Sequence, residues 1–159
     1  MIEIINGSIE FSKEKYIAHQ TNCVTSGRAS GVAATIFALY PWADCYRNRG
    51  NYRSELGTID IRGCVDDFVD ERYVINMHAQ YYPGRYGLPN EYDSETARVN
   101  AFIDCLDQIK LIDNLTSIAF PARIGCGLAG GNWKTYYDLL ETFDYMMRGK
   151  VAVKLYDYP

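Results

Sequence analysis

The sequence predicts a three-layer α/β/α domain with a mixed, largely parallel central sheet. Three observations predict it. Short β-branched apolar runs alternate along the chain with longer segments whose apolar residues recur at helical spacing. One run, Arg72–Ala79, carries Tyr73, Val74, Ile75 and Met77 and reads as a strand buried in the centre of a sheet. The 159 residues, 48% hydrophobic and 23% charged, suit one domain over residues 1–159 that holds a real core without disulfides or a structural metal.

Each element has a local reason. Ile2–Ile5 is a short β-branched run, and Tyr16–Thr21 is a second extended segment ending at Asn22. From Ser30 the period changes, with Val32, Ile36 and Leu39 on one helical face. Pro41 ends or re-aims that helix, and Trp42–Arg49 continues it. Gly57 opens a strand over Thr58–Ile61, and Asp66–Asp67 makes a turn. After Arg72–Ala79, the Tyr-, Gly- and Pro-rich stretch Tyr81–Asn90 is a loop. Asp93 or Ser94 caps a helix whose apolar stripe is Val99, Phe102, Ile103, Leu106 and Ile109. Ser117–Phe120 is a strand, followed by a loop crowded with glycine. Trp133, Tyr136, Tyr137, Leu140, Phe143 and Met147 form the last helical stripe, and Val151–Tyr156 closes as a strand.

Composition excludes several function classes. The net charge of −4 and the lack of a Lys/Arg block argue against duplex nucleic acid as a partner. No apolar run reaches about 18 residues, so no membrane span is expected. The start lacks a basic, then apolar, leader pattern. Five scattered cysteines without a C-x-x-C point to reduced thiols and a cytoplasmic setting. The two histidines, His19 and His78, sit in no metal-ligand cluster, so neither metal nor other cofactor is expected. A monomer is expected.

Two strand-to-loop junctions carry the chemistry. His19-Gln20-Thr21-Asn22 runs into a small-residue loop and then Ser30-Gly31-Val32-Ala33 at a helix start. A helix N-terminus presents free N–H groups, which suit an anion. Ile124-Gly125-Cys126-Gly127-Leu128-Ala129-Gly130-Gly131 follows the Ser117–Phe120 strand, and glycine lets a phosphate approach the backbone. Both loops lie at carboxyl ends of strands, where open α/β sheets bind ligands. Together they suit a diphosphate. Gly125–Gly130 matches G-x-G-x-x-G in form but lacks the βαβ unit and distal acidic residue of a Rossmann site.

These blocks resemble the macrodomain family. His19-Gln20-Thr21-Asn22-Cys23 with Ala29–Ala33 and Ala38-Leu39-Tyr40-Pro41 is similar to its first ligand loop and helix. Ile124–Trp133 is similar to its second phosphate loop. The resemblance runs from Ile2 to about Tyr156, nearest to the branch of yeast-type ADP-ribose 1″-phosphate phosphatases and terminal ADP-ribose–glutamate hydrolases, with phage-encoded members. It implies ADP-ribose or ADP-ribose 1″-phosphate as ligand. It assigns Asn22 to the distal ribose, Ser30, Gly31, Val32 and Ala33 to the α-phosphate, and Ile124, Gly125, Cys126, Gly127, Leu128 and Ala129 to the diphosphate and distal ribose. It pairs His19 with Asn22 as the catalytic residues, and places Ser8, Ile9, Gln80 and Arg85 at the ligand.

Departures from the family pattern are equally specific. Gly7-Ser8-Ile9 stands where macrodomains have Gly-Asp-Ile, which weakens adenine recognition. The hydrolase branch's Lys/Asp pair is replaced by His78 or Gln80 and by Ala129. Several residues keep two readings. His19 is either an acid/base that titrates near neutral pH or a satisfied strand histidine. Cys126 is a small loop residue rather than a nucleophile, and His78 and Trp133 are structural. Arg85 reaches a terminal phosphate while Arg123 is solvated. Tyr81, Tyr82 and Tyr86 either stack on the ligand or form a lid, or do neither.

Three functions follow from the resemblance. The first is hydrolysis of the phosphomonoester of ADP-ribose 1″-phosphate. The second is non-catalytic reading of ADP-ribose or ADP-ribosylated targets. The third is removal of ADP-ribose from protein or nucleic acid, or action on a related signalling nucleotide.

Overall fold

The computed structural model describes residues 2–64, 71–87 and 93–158. Six strands form one sheet: β1 (Glu3–Asn6), β2 (Tyr16–Asn22), β3 (Thr58–Cys64), β4 (Arg72–Gln80), β5 (Ser117–Pro121) and β6 (Ala152–Asp157). Their spatial order is β1-β6-β5-β2-β4-β3. Every neighbouring pair is parallel except β3 with β4. Three helices cover the sheet: α1 (Gly31–Leu39), α2 (Glu95–Ile109) and α3 (Trp133–Met146). The expected mixed, largely parallel α/β/α architecture is the observed one.

The two sheet faces hold separate cores. On one face Ala18, Ile75, Met77, Ile118 and Phe120 pack with Phe102, Leu106, Leu140 and Phe143 from α2 and α3. On the other, Ile17, Val74 and Ala119 pack with Ile36 and Phe37 of α1 and with Tyr46. The alternation follows from the pleat, which sends successive side chains of β2 and β4 to opposite faces. Continuous burial of β4 from Val74 to Gln80 follows from covering both faces.

Local chemistry sets the helix starts. Ser94 Oγ accepts from Ala97 N at 3.0 Å and caps α2. Asn132 Oδ1 accepts from Thr135 N at 3.4 Å at the start of α3. At α1 the expected stripe is rotated. Ala33, Ile36 and Phe37 are the buried residues, whereas Val32 and Leu39 are 44% and 45% exposed. Ala33 and Phe37 are i and i+4 about Ile36, so they cover the sheet, and Val32 is left at the rim.

The segment after Pro41 also differs from expectation. It forms a 3₁₀ turn over Pro41–Ala43 and then turns rather than continuing as a helix to Arg49. Asp44 Oδ1 accepts from the Tyr46 and Arg47 N–H groups at 2.9 and 3.2 Å, which offers the backbone a local alternative to the helix. The expected Asp66–Asp67 turn and the end of the Tyr81–Asn90 loop lie outside the described residues. Among the described residues no helix is long and apolar enough to cross a membrane.

Phe102 lies at the meeting of α2 and α3, its ring edge-on to Tyr136 at 4.9 Å and 83°. Phe102→Ala should cost about 3–5 kcal/mol, while Leu111→Ala, 79% exposed, should stay within about 0.5 kcal/mol of wild type. Urea denaturation of both variants checks the contrast.

Candidate functional site

The carboxyl ends of β2 and β5 open into one cleft of about 540 Å³. Its walls are the first loop, ending in α1, and the glycine loop that follows β5. Of the expected residues, His19, Asn22, Gln80, the run 30–33 and the run 124–129 line it. The two loops touch across it: a Cβ placed on Gly31 would lie 3.3 Å from Leu128 Cδ1.

Three expected residues stand outside the lining. Ile9 is buried in the core beneath α1. Ser8 Oγ instead donates to Glu10 Oε1 at 3.2 Å. Arg85 packs along Gly130, where a Cβ would meet its Cγ at 2.9 Å, and sits over the Tyr86 ring at 5.4 Å. Ser8 and Arg85 each have a local partner, and Arg85 lies beside the cleft-lining residues Gly84 and Ala129.

Both walls are rich in available N–H groups. The first intrahelical bond of α1 runs from Ala34 N to Ser30 O at 3.4 Å, so Gly31, Val32 and Ala33 N–H precede the ladder. Ser30 makes no side-chain capping bond. In the glycine loop Cys126 N and Gly131 N close turns on Arg123 O and Gly125 O, at 2.8 and 3.0 Å. Gly125, Gly127, Leu128 and Ala129 N–H make no bond among the described residues. Gly125 has φ +78°, and a Cβ there would lie 2.8 Å from the Tyr136 ring. Glycine is required at this turn both by conformation and by space.

The cleft is electropositive in a chain of net charge −4. Arg28 and Arg123 line it, and among the described residues no carboxylate does. Arg123, expected to be plain solvated surface, is held at φ +63° on the rim. Donors and guanidinium groups with no competing acid make an anion site.

His19 differs most from expectation. It is 1% exposed, and its Nε2 lies 2.6 Å from Asn76 Oδ1. Asn76 Nδ2 donates to Ala43 O at 2.9 Å and Asp60 Oδ2 at 3.1 Å, which fixes Oδ1 as the acceptor. His19 therefore carries its proton on Nε2, leaving Nδ1 a bare, buried acceptor without a partner. Burial lowers its pKa to about 4, against the Asn76 bond. At neutral pH it is uncharged and has no proton to give from Nδ1, which corrects the expectation of a side chain titrating near neutrality. Cys126 is no thiolate either, since burial pushes it up to about 11.

Asn22 is largely committed to its own loop. Its Oδ1 accepts from Val24 N and Thr25 N at 3.0 and 2.7 Å. Its backbone N and Nδ2 both donate to Tyr46 OH, at 2.9 and 3.2 Å. The second amide N–H is what it offers a ligand.

Of the residues that hold the cleft together, the sequence points to Gln80 and Asp93 but not to Arg98, Gln20 or Tyr46. Arg98, 2% exposed, donates through Nε to Asp93 Oδ1 at 2.7 Å. Its Nη1 reaches Gly84 O at 2.9 Å and Ala129 O at 3.3 Å, and Nη2 reaches Tyr82 O at 3.2 Å. Gln20 Nε2 donates to Gln80 Oε1 at 2.7 Å, and Gln80 Nε2 to Tyr82 O at 2.9 Å. Tyr46 holds Asn22. An arginine inside a helical pattern reads as solvated surface, so the local sequence carries no sign of Arg98. Its one clue is Asp93 five residues before it.

Comparison with known proteins agrees with this geometry. No family model matches the chain. A 17.5 kDa phage T4 protein of the tk–vs intergenic region is 26% identical over 151 residues, which are 90% of each chain. The macrodomain of Mycobacterium tuberculosis DarG superposes with a TM-score of 0.71 at 22% identity, over 100% of this chain and 97% of that one. A Trypanosoma brucei macrodomain solved in complex with ADP-ribose superposes with a TM-score of 0.62 at 15% identity, over 99% of this chain and 63% of that one. The fold is the macrodomain fold.

Two outcomes test the site's construction. Arg98→Lys keeps the charge but cannot span Tyr82, Gly84, Ala129 and Asp93 together. Each buried carbonyl that the lysine leaves unpaired costs about 1–3 kcal/mol, read as a lowered Tm. The second concerns pH. Burial lowers His78 to about 4 as well, with Arg49 adding to the effect. Unfolded, each histidine binds a proton near the ordinary 6.5. Between these values the unfolded chain holds about two more protons, so stability falls as pH drops from about 6.5 to 4. Denaturation at a series of pH values checks this, and His78→Gln should halve the proton uptake.

Proposed function

We propose that the cleft binds ADP-ribose, with the diphosphate between the α1 N-terminus and the glycine loop. One observation carries this reading: two rows of free N–H groups face each other across a cleft with arginine on its rim and, among the described residues, no carboxylate. Helix N-termini and glycine turns are built for phosphate oxygens. The superposed T. brucei macrodomain holds ADP-ribose, which supports the same ligand here. The second amide N–H of Asn22 suits a hydroxyl of the distal ribose. The family's adenine-contacting Asp is Ser8 here, and Ser8 is bonded to Glu10, so the grip falls on the diphosphate and distal ribose.

Binding without turnover is the reading the side chains favour. His19 is enclosed and neutral, Cys126 is a thiol, and among the described residues the cleft wall offers no acid. Hydrolysis of ADP-ribose 1″-phosphate is the second reading, favoured by the bare Nδ1 of His19, a residue of the cleft wall. In that reaction a water oxygen bonds to phosphorus and the bond to the ribose C1″ oxygen breaks. The water proton passes by way of Nδ1 to the leaving oxygen, giving ADP-ribose and inorganic phosphate. A bound dianion raises the affinity of Nδ1 for that proton. Release of ADP-ribose from a modified protein or nucleic acid would use the same cleft.

Phosphorus NMR of the protein with ADP-ribose 1″-phosphate separates these outcomes. Broadened diphosphate signals with an intact monoester are expected. Growth of inorganic phosphate, abolished by His19→Gln, establishes the phosphatase. Unchanged spectra overturn the ADP-ribose reading. Arg28→Glu with Arg123→Glu should weaken ADP-ribose binding about tenfold or more at low salt, with less difference at high salt.

A further inference from the structure

A second cavity, of about 500 Å³, lies behind the end of β2. Its walls come from the segment after α1 and from the antiparallel pair β3–β4. The partition from the ADP-ribose cleft is thin: Thr21 Oγ1, on the cleft side, lies 2.8 Å from Nδ1 of His78, on the cavity side.

Its charge is poorly compensated. Arg62 is paired, with Nε 2.8 Å from Asp60 Oδ2. Asp60 is further satisfied by Asn76, at 3.1 Å. Arg49 is different. Its guanidinium donates to Asn22 O at 3.1 Å and to Ser54 Oγ at 2.9 Å, both neutral acceptors. Among the described residues neither Arg49 nor the exposed Arg47 pairs with a carboxylate, and Glu55 stands exposed at the rim. A half-buried guanidinium without a counter-ion, in the wall of a cavity, invites an anion. Asn48 and Gly50 on the same turn have φ +61°, a conformation that holds Arg47 and Arg49 on one loop.

We propose that this cavity is a second anion site, built for a phosphate monoester, with Arg47 and Arg49 as its cationic grip and His78 as a neutral wall. The ring of His78 is 4% exposed and lines the cavity, with its Nδ1 committed to Thr21. The side that remains is Nε2. Arg49 and Arg62 both disfavour a charge on His78, and Asp60 opposes them. A bound dianion screens the two guanidinium groups and moves the ring toward protonation. The exposed Tyr52 on the rim gives a flat apolar face beside the phosphate position. A cavity of this volume also admits the organic part of a small phosphate ester.

The chain has only two histidines, one in the wall of each cavity, so imidazole NMR resolves the two sites. The protein is first saturated with ADP-ribose, which occupies the cleft and reports through His19. Inorganic phosphate, AMP and adenosine are then titrated separately. Phosphate and AMP should shift His78 saturably with His19 unmoved, and adenosine should not. Arg47→Glu, at an exposed side chain outside the cleft, should weaken the His78 response about tenfold while leaving ADP-ribose binding intact. If His78 is unmoved by both phosphates, or moves equally in Arg47→Glu, the second site is overturned. If ADP-ribose itself fails to perturb His19, the cleft reading fails, and the phosphate titration of His78 still decides the second site alone.

Discussion

The buried guanidinium of Arg98 is the constraint on which the cleft depends. It reaches three backbone carbonyls from two loops, Tyr82 and Gly84 on one and Ala129 on the other, and it is neutralised by Asp93 beside the α2 N-terminus. A loop of glycines left to itself samples many conformations, and ordering it costs entropy. Here that cost is met by a planar donor that fits several carbonyls at once, as no other side chain can. The same bonds leave the N–H groups of Leu128 and Ala129 free, because the loop is held by its C=O side. Tyr136 supports the loop from below, against Gly125 and Gly131.

A second chain of polar contacts runs under the floor of the cleft. Arg62, Asp60, Asn76 and His19 are linked across β3, β4 and β2. Each member is satisfied by the next until His19 Nδ1, where the chain stops. The tautomer of the histidine follows from a backbone carbonyl, Ala43 O, through the Asn76 amide that it orients, while burial keeps the ring uncharged. A side chain that reads as an acid/base in the sequence becomes an uncharged acceptor because of what lies behind it.

These two chains mark the limit of what the sequence discloses. The strands, the helices and both anion loops were legible, since each rests on local period, glycine spacing or a capping residue. Residues 30–33 and 124–129 stand out in the sequence because each run is contiguous and lies beyond a strand, and both line the cleft. The face of α1 was misjudged, because Val32 and Leu39 satisfy a helical period as well as Ala33, Ile36 and Phe37, and only the sheet decides between them. Ser8, Ile9 and Arg85 rest on family likeness alone, because no local period or spacing points to them. Arg98, Gln20 and Tyr46 were invisible, since their partners lie far away in sequence or are backbone atoms.

The strand order has a consequence for how the chain is made. β1 has a single neighbour, β6, with Glu3 opposite Lys154. β1 must therefore wait for β6, the later-made of the two. Until then its apolar Ile2 lacks part of its burial, and β5 lacks its outer partner. A ribosome adds about 5–20 residues each second, so this interval lasts seconds. Closure of the sheet waits for β6, which joins β1 to β5.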